Sequence, residues 1–106
     1  MTVAYKRLMI YEVEQTAEFA KWLDDLADHV AQKAIAKRIV RLSGGLFGDA
    51  EPVGGKVSEL KFHIGPGYRA YYTIQNRKII IMLTGGDKST QKRDIADAQE
   101  MVASAT

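Results

Sequence analysis

The chain has no cysteine, which excludes disulfides, thiolate catalysis and cysteine-held zinc. Histidine is scarce as well. With only His29 and His63, a histidine-rich metal site is not expected, and the reading calls for no metal and no cofactor. No apolar run is long enough to span a bilayer. Lys6, Arg7, Glu12 and Glu14 interrupt the apolar stretch at the N-terminus, so it does not read as a signal peptide. The expectation is a cytoplasmic protein without a membrane partner. Acids are also missing where bases are plentiful: between Pro52 and Gly86 the only one is Glu59.

What is present suits one globular domain over residues 1–106, with 46% hydrophobic and 26% charged residues. The net charge of +2 conceals a lopsided distribution. From Glu12 to Asp28 six acids face one base, Lys21; from His29 to Arg93 twelve bases face four acids. Scattered lysine and arginine ordinarily mark a solvated surface. The asymmetry nonetheless makes a polyanion such as RNA the first partner to test.

Val3 to Val13 reads as a strand, rich in Tyr5, Leu8, Ile10 and Tyr11. Thr16 then suits a helix N-cap, and Phe19, Trp22, Leu23 and Leu26 form one apolar stripe. Asp28 breaks this helix and caps a second, with Ala31, Ile35, Ile39 and Leu42 on one face and Gly44-Gly45 at its end. The glycine-rich stretch from Gly44 to Lys56 reads as a loop. Val57 to Ile64 and Tyr68 to Ile74 then alternate like strands around a Gly65-Pro66-Gly67 turn. Asn76-Arg77 is a tight turn into Lys78 to Leu83, an apolar run suited to a strand covered on both faces. A polar loop, Thr84 to Thr90, leads to a last helix over Gln91 to Ala103, with Ile95, Ala98 and Val102 on one side. The expected fold is α+β in the order β-α-α-β-β-β-α, a curved, mainly antiparallel sheet packed against helices.

The register of the central hairpin gathers the chemistry. A three-residue turn places Ile64 opposite Tyr68, Phe62 opposite Ala70 and Leu60 opposite Tyr72 on an apolar face. The other face then carries His63 opposite Arg69, Lys61 opposite Tyr71 and Glu59 opposite Thr73. That face reads either as a solvated sheet surface with cross-strand ion pairs or as a platform for a phosphate backbone and a stacked base. Lys88, Lys92 and Arg93 follow near the start of a helix, where free N–H groups favour anions, unless Asp87 or Ser89 caps that end. Lys33, Lys37 and Arg41 form a basic helix edge, an ordinary solvated face or an extension of an RNA track.

RNA cleavage without metal requires a base for the 2′-hydroxyl, charge stabilisation on the phosphorane and a proton for the leaving 5′-oxygen. Arg69 suits a bidentate phosphate clamp. Lys61 stabilises charge, or serves as base if neighbouring cations depress its pKa. Glu59 and His63 are further proton-transfer candidates, and Tyr71 suits stacking or positioning of the 2′-hydroxyl. Composition leaves these assignments open. Gly85-Gly86-Asp87-Lys88-Ser89 lacks the first glycine and spacing of a Walker motif, and Phe19 and Trp22 read as core.

Ser58 to Tyr72 (SELKFHIGPGYRAYY) followed by Leu83 to Ile95 (LTGGDKSTQKRDI) resembles the phage-derived HigB-like branch of the RelE/ParE toxins, the addiction-module killer proteins. The stretch Glu18 to Leu23 and the glycine-rich loop agree, so the resemblance covers nearly the whole chain. It implies a microbial-ribonuclease-like fold and a toxin that cuts mRNA in the ribosomal A site. It also implies a helix-turn-helix antitoxin as partner, with operator DNA contacted only through the complex. The family's functional positions correspond to Lys61, Arg69 and Lys88. The C-terminal tyrosine of some RelE toxins has no counterpart, because the last helix holds neither tyrosine nor histidine; Tyr71, His63 or Glu59 would take its place. Two other functions fit the same residues: a ParE-like inhibitor of DNA gyrase without catalysis, and a degenerate RNA-binding module.

Overall fold

The structure is a computed structural model, and it describes residues 11–104. Its elements are β1 (Glu12–Gln15), α1 (Ala17–Asp24), α2 (His29–Ser43), β2 (Ala50–Gly54), β3 (Val57–Lys61), β4 (Arg69–Gln75), β5 (Ile79–Gly86), a short 3-10 turn (Lys88–Thr90) and α3 (Gln91–Ser104). They form an α+β fold around one five-stranded sheet in the order β1-β5-β4-β3-β2. β1 runs parallel to β5, and every other pairing is antiparallel. The expected Val3–Val13 strand lies largely outside the described residues; within them a strand, β1, covers Glu12–Gln15. No helix among the described residues is long and apolar enough to cross a membrane.

The helices begin where their caps dictate. The Thr16 hydroxyl accepts from the Phe19 N–H at 3.0 Å and the Asp28 carboxylate from the Ala31 N–H at 3.0 Å. Gly44 ends α2, its N–H turned back to Arg41 and Leu42 carbonyls. Phe19, Ile35 and Leu42 pack with Leu60, Phe62, Ala70, Tyr72, Ile80 and Met82 on one face of the sheet. Each such large apolar side chain contributes roughly 1.5–3 kcal/mol by leaving water.

Two expectations change. The Gly44–Lys56 stretch is not all loop, because Ala50–Gly54 pairs with β3 as an edge strand. Pro52 and Gly54 hid it: proline cannot donate to a ladder and is tolerated only at edges or bulges, and the register shifts between these two residues. Gly55 and Lys56, both at positive φ, close a two-residue hairpin. β5 also extends through Gly86, so Thr84 and the glycine pair belong to the sheet rather than to the loop after it.

The hairpin register also differs by two residues. Lys61 pairs with Arg69, Leu60 with Ala70 and Glu59 with Tyr71, so Phe62 and Ile64 stay outside the ladder. A two-residue shift preserves alternation, so each side chain keeps its expected face. The second face is nevertheless not open. α3 lies across it, and Ala98, Ile95 and Val102 pack with Val57, Tyr71 and Leu83 into a second, smaller core.

Candidate functional site

The residues singled out in the sequence divide into a buried group and a rim. Glu59, Arg69 and Tyr71 lie beneath α3, with Arg69 only 7% exposed and the other two fully enclosed. The expected solvent-facing platform is therefore corrected: Tyr71 has no face on which a base could stack, and Glu59 is sealed from bulk solvent. Glu59 accepts a hydrogen bond from the Gln91 side-chain amide at 2.7 Å, which ties β3 to the first residue of α3. Its other oxygen, Oε1, faces Arg69 Nε at 3.7 Å, too long for a hydrogen bond. Arg69 Nη1 donates to the Gly67 and Tyr68 carbonyls at 3.1 and 3.2 Å. Glu59 Oε1, Arg69 Nε and the Tyr71 hydroxyl are buried without a hydrogen-bond partner. Burial first, and then the Glu59 and Asp94 carboxylates, push the Tyr71 hydroxyl well above its ordinary value of 10, so it stays protonated.

The rim carries Lys61, His63 and Lys88. Lys61 forms an ion pair with Glu51, one strand over on β2. That hydrogen bond raises its pKa above 10.5, with further support from Asp49 and Glu59. This overturns the idea of Lys61 as a base lowered by crowding cations: carboxylates are its neighbours, and it remains an ammonium. His63 is exposed, and its Nε2 lies 2.5 Å from Asp49 Oδ2. The contact with His63 is the main reason the Asp49 carboxyl sits below its ordinary value of 3.8.

Lys88 approaches from the third side. β4 and β5 pair so that Arg69 faces Gly86, which places the Asp87-Lys88 turn beside the guanidinium. Gly67 supplies the space where they meet. A Cβ built on Gly67 would lie 3.4 Å from Lys88 Cβ and 3.5 Å from Arg69 Nη1. Arg69 and the stem of Lys88 thus meet at Gly67, and Lys61 neighbours Arg69 across the β3–β4 ladder.

The start of α3 is not a vacant anion site. Asp87 accepts from the Ser89 N–H at 2.8 Å and from its hydroxyl at 2.5 Å, and the Thr90 hydroxyl donates to Asp94 at 2.5 Å. These hydrogen bonds to Ser89 hold Asp87 below its ordinary carboxylate value. Capping by Asp87 therefore supersedes anion binding there. Lys92 and Arg93 are exposed and share a shallow recess with Ser89 and Thr90, while Arg41 is exposed in the last turn of α2. Among the described residues, Arg41 makes no hydrogen bond or ion pair with Lys61, Arg69 or Lys88.

Three residues escaped the sequence reading. Arg38 donates to the Phe47, Asp49 and Lys61 carbonyls and stacks 5.0 Å from the centre of the Phe62 ring. It fastens the 47–49 segment to β3. Asp49 and Glu51 were hidden because the stretch holding them read as loop. Once a strand is recognised there, its acids fall beside the β3 bases. Among the described residues, no group of three or more histidine, aspartate or glutamate side chains is arranged to hold a metal ion.

Comparison with known proteins agrees with this architecture. Residues 14–102 match the family described as phage derived protein Gp49-like (DUF891). An uncharacterized protein of Haemophilus influenzae is 42% identical over 91 residues, which is 86% of this chain and 92% of the relative. Among solved structures, a mutant of the Escherichia coli toxin RelE in the free state superposes with a TM-score of 0.71 at 17% identity, over 88% of this chain and 98% of that one. The RelBE2 toxin-antitoxin complex of Mycobacterium tuberculosis gives 0.59 at 18% identity, over 74% and 99%. YafQ of E. coli gives 0.54 at 13% identity, over 76% and 97%. The match over residues 14–102, together with a five-stranded sheet backed by helices on both faces, identifies the chain as a member of the phage-derived Gp49-like family, built on the RelE toxin fold.

Proposed function

We propose that the protein is the toxin of a toxin–antitoxin pair and acts as a metal-independent endoribonuclease on ribosome-bound mRNA. The observation that carries this reading is the convergence of Arg69 and Lys88 on the bare Cα of Gly67, with Lys61 paired to Arg69 across the hairpin. Three permanent cations at one hairpin end suit a phosphodiester whose charge grows in the transition state. Arg69, held by two carbonyls and largely enclosed, is the fixed charge at the floor of the site; Lys88, which is exposed, reaches the phosphate from the other side. Lys61 adds charge once its Glu51 partner yields to RNA. Lys92, Arg93 and Arg41 are proposed as outlying contacts to the RNA backbone.

Proton transfer is assigned to His63. Glu59 and Tyr71 are enclosed, whereas His63 reaches solvent. Neutralisation by a cognate antitoxin, probed as co-purification with the product of an adjacent reading frame, follows from the toxin reading; two structurally similar proteins were solved as toxin–antitoxin complexes. Adding the purified protein to a reconstituted translation reaction should truncate the message, and Lys88→Ala should leave it intact. Full-length message with wild-type protein would defeat the proposal.

One observation favours a second reading. Arg69 is largely enclosed, and Lys61 and His63 each face a carboxylate, which suits a ParE-like gyrase inhibitor that cleaves nothing. Loss of gyrase supercoiling on addition of the protein, with mRNA untouched, would select it.

A further inference from the structure

We infer that Asp49 is a positioning residue that holds His63 as the base for the proposed cleavage. The inference rests on the ribonuclease reading above and adds a residue to it. Its basis is geometric. Asp49 Oδ2 lies 2.5 Å from His63 Nε2, so the carboxylate accepts a hydrogen bond from that ring nitrogen. The contact joins residues fourteen apart in sequence, and the Asp49 backbone is tied to β3 independently of its side chain. The Lys61 N–H donates to the Asp49 carbonyl at 2.9 Å, and Arg38 Nη2 donates to the same carbonyl at 3.1 Å. Arg38 Nη1 donates in turn to the Lys61 carbonyl at 3.1 Å. The carboxylate is thereby presented on a fixed backbone, two residues along the chain from the Lys61 partner Glu51.

The chemical consequence concerns which ring nitrogen is free. With the Nε2–H donating a hydrogen bond to Asp49, the lone pair resides on Nδ1, and the carboxylate stabilises the imidazolium that forms when Nδ1 takes a proton. In the reaction, the O–H bond of the 2′-hydroxyl breaks and its proton passes to His63 Nδ1. The 2′-oxygen bonds to phosphorus, the P–O5′ bond breaks, and its electron pair leaves with the 5′-oxygen. That oxygen takes a proton from solvent, and His63 Nδ1 then releases to solvent the proton it took, which restores the neutral ring. The products are a 2′,3′-cyclic phosphate and a 5′-hydroxyl, with no oxidant, reductant or added reactant.

The test uses full-length protein, ribosomes programmed with a short labelled message, and ring-nitrogen NMR of His63. Asp49→Asn keeps the backbone carbonyl that Arg38 and Lys61 use, so the fold is retained. His63→Ala should slow cleavage by about 100-fold or more, the range for loss of a general base. Asp49→Asn should lower kcat by roughly 10–100-fold, as loss of a partner that orients a functional histidine does, with KM unchanged. The wild-type ring should carry its proton on Nε2, and Asp49→Asn should mix the two tautomers. Asp49→Glu should recover part of the rate. Cleavage by Asp49→Asn at the wild-type rate would overturn the inference while sparing the nuclease reading. An Nε2-protonated ring in a wild-type protein that cuts nothing would overturn both, and the NMR result would show that the pairing itself was real.

Discussion

Arg69 and Lys88 separate two effects that mutagenesis often confounds. Removing Arg69 strands the buried Glu59 carboxylate, and an unpaired buried charge costs about 3–5 kcal/mol. Arg69→Ala should therefore lose both activity and stability, read as urea midpoint and message cleavage together. Lys88→Ala, at an exposed position, should lose cleavage with a urea midpoint equal to wild type. An active Lys88→Ala would remove that residue from the proposed site. Tyr71 makes the opposite prediction. Its hydroxyl is buried without a partner, so Tyr71→Phe should be neutral or stabilising by up to about 1 kcal/mol, with cleavage unchanged. A large loss of cleavage would show that the phenol acts in the reaction despite its burial.

At the scale of elements, the glycine pair before Lys88 serves packing. A Cβ on Gly85 would overlap the Trp22 ring, and one on Gly86 would overlap Asp94 and Thr90. A bulge between Tyr71 and Tyr72 shifts the β4–β5 register, and the two glycines beyond it contact opposite faces of the sheet. Gly85→Ala and Gly86→Ala should each cost roughly 1–3 kcal/mol through overpacking, measured by thermal unfolding. Unchanged melting would show that Trp22 and α3 move aside freely. Such contacts are long-range, which is why the sequence shows Gly85-Gly86-Asp87-Lys88-Ser89 as a motif without showing what it is for. Local signals were legible: the Thr16 and Asp28 caps, the Asn76-Arg77 turn and the α3 apolar side all stand as read. The alternation of β3 and β4 assigned faces correctly even with its register two residues off. What alternation cannot tell is whether a polar face meets water or another helix. Glu59, Arg69 and Tyr71 looked like a surface because no local feature announces that α3 returns across them. Asp49 and Glu51 were missed for a related reason, since an edge strand broken by proline and glycine carries no period.

Across the whole molecule, the balance of charge sets the response to solution conditions. Asp49 and Asp87 are both held below the ordinary carboxylate value of 3.8, chiefly by hydrogen bonds from His63 and Ser89 respectively. A depressed folded-state pKa adds stability above that ordinary value, and the gain is lost as pH falls through the lowered one. Stability should therefore decline below about pH 3.8, and Asp87→Asn should flatten that limb in an acid titration followed by circular dichroism. An unaltered acid limb would show that the Asp87 cap is not linked to folding. If Lys61, Arg69 and Lys88 each neutralise a phosphate, binding of single-stranded RNA should weaken roughly 20-fold between about 50 and 200 mM salt. The most direct measurement is the mapping of message ends in a translation reaction containing purified wild-type protein or Lys88→Ala. The account predicts discrete new 3′ ends bearing a 2′,3′-cyclic phosphate with wild type and none with the variant; intact message in both would contradict it.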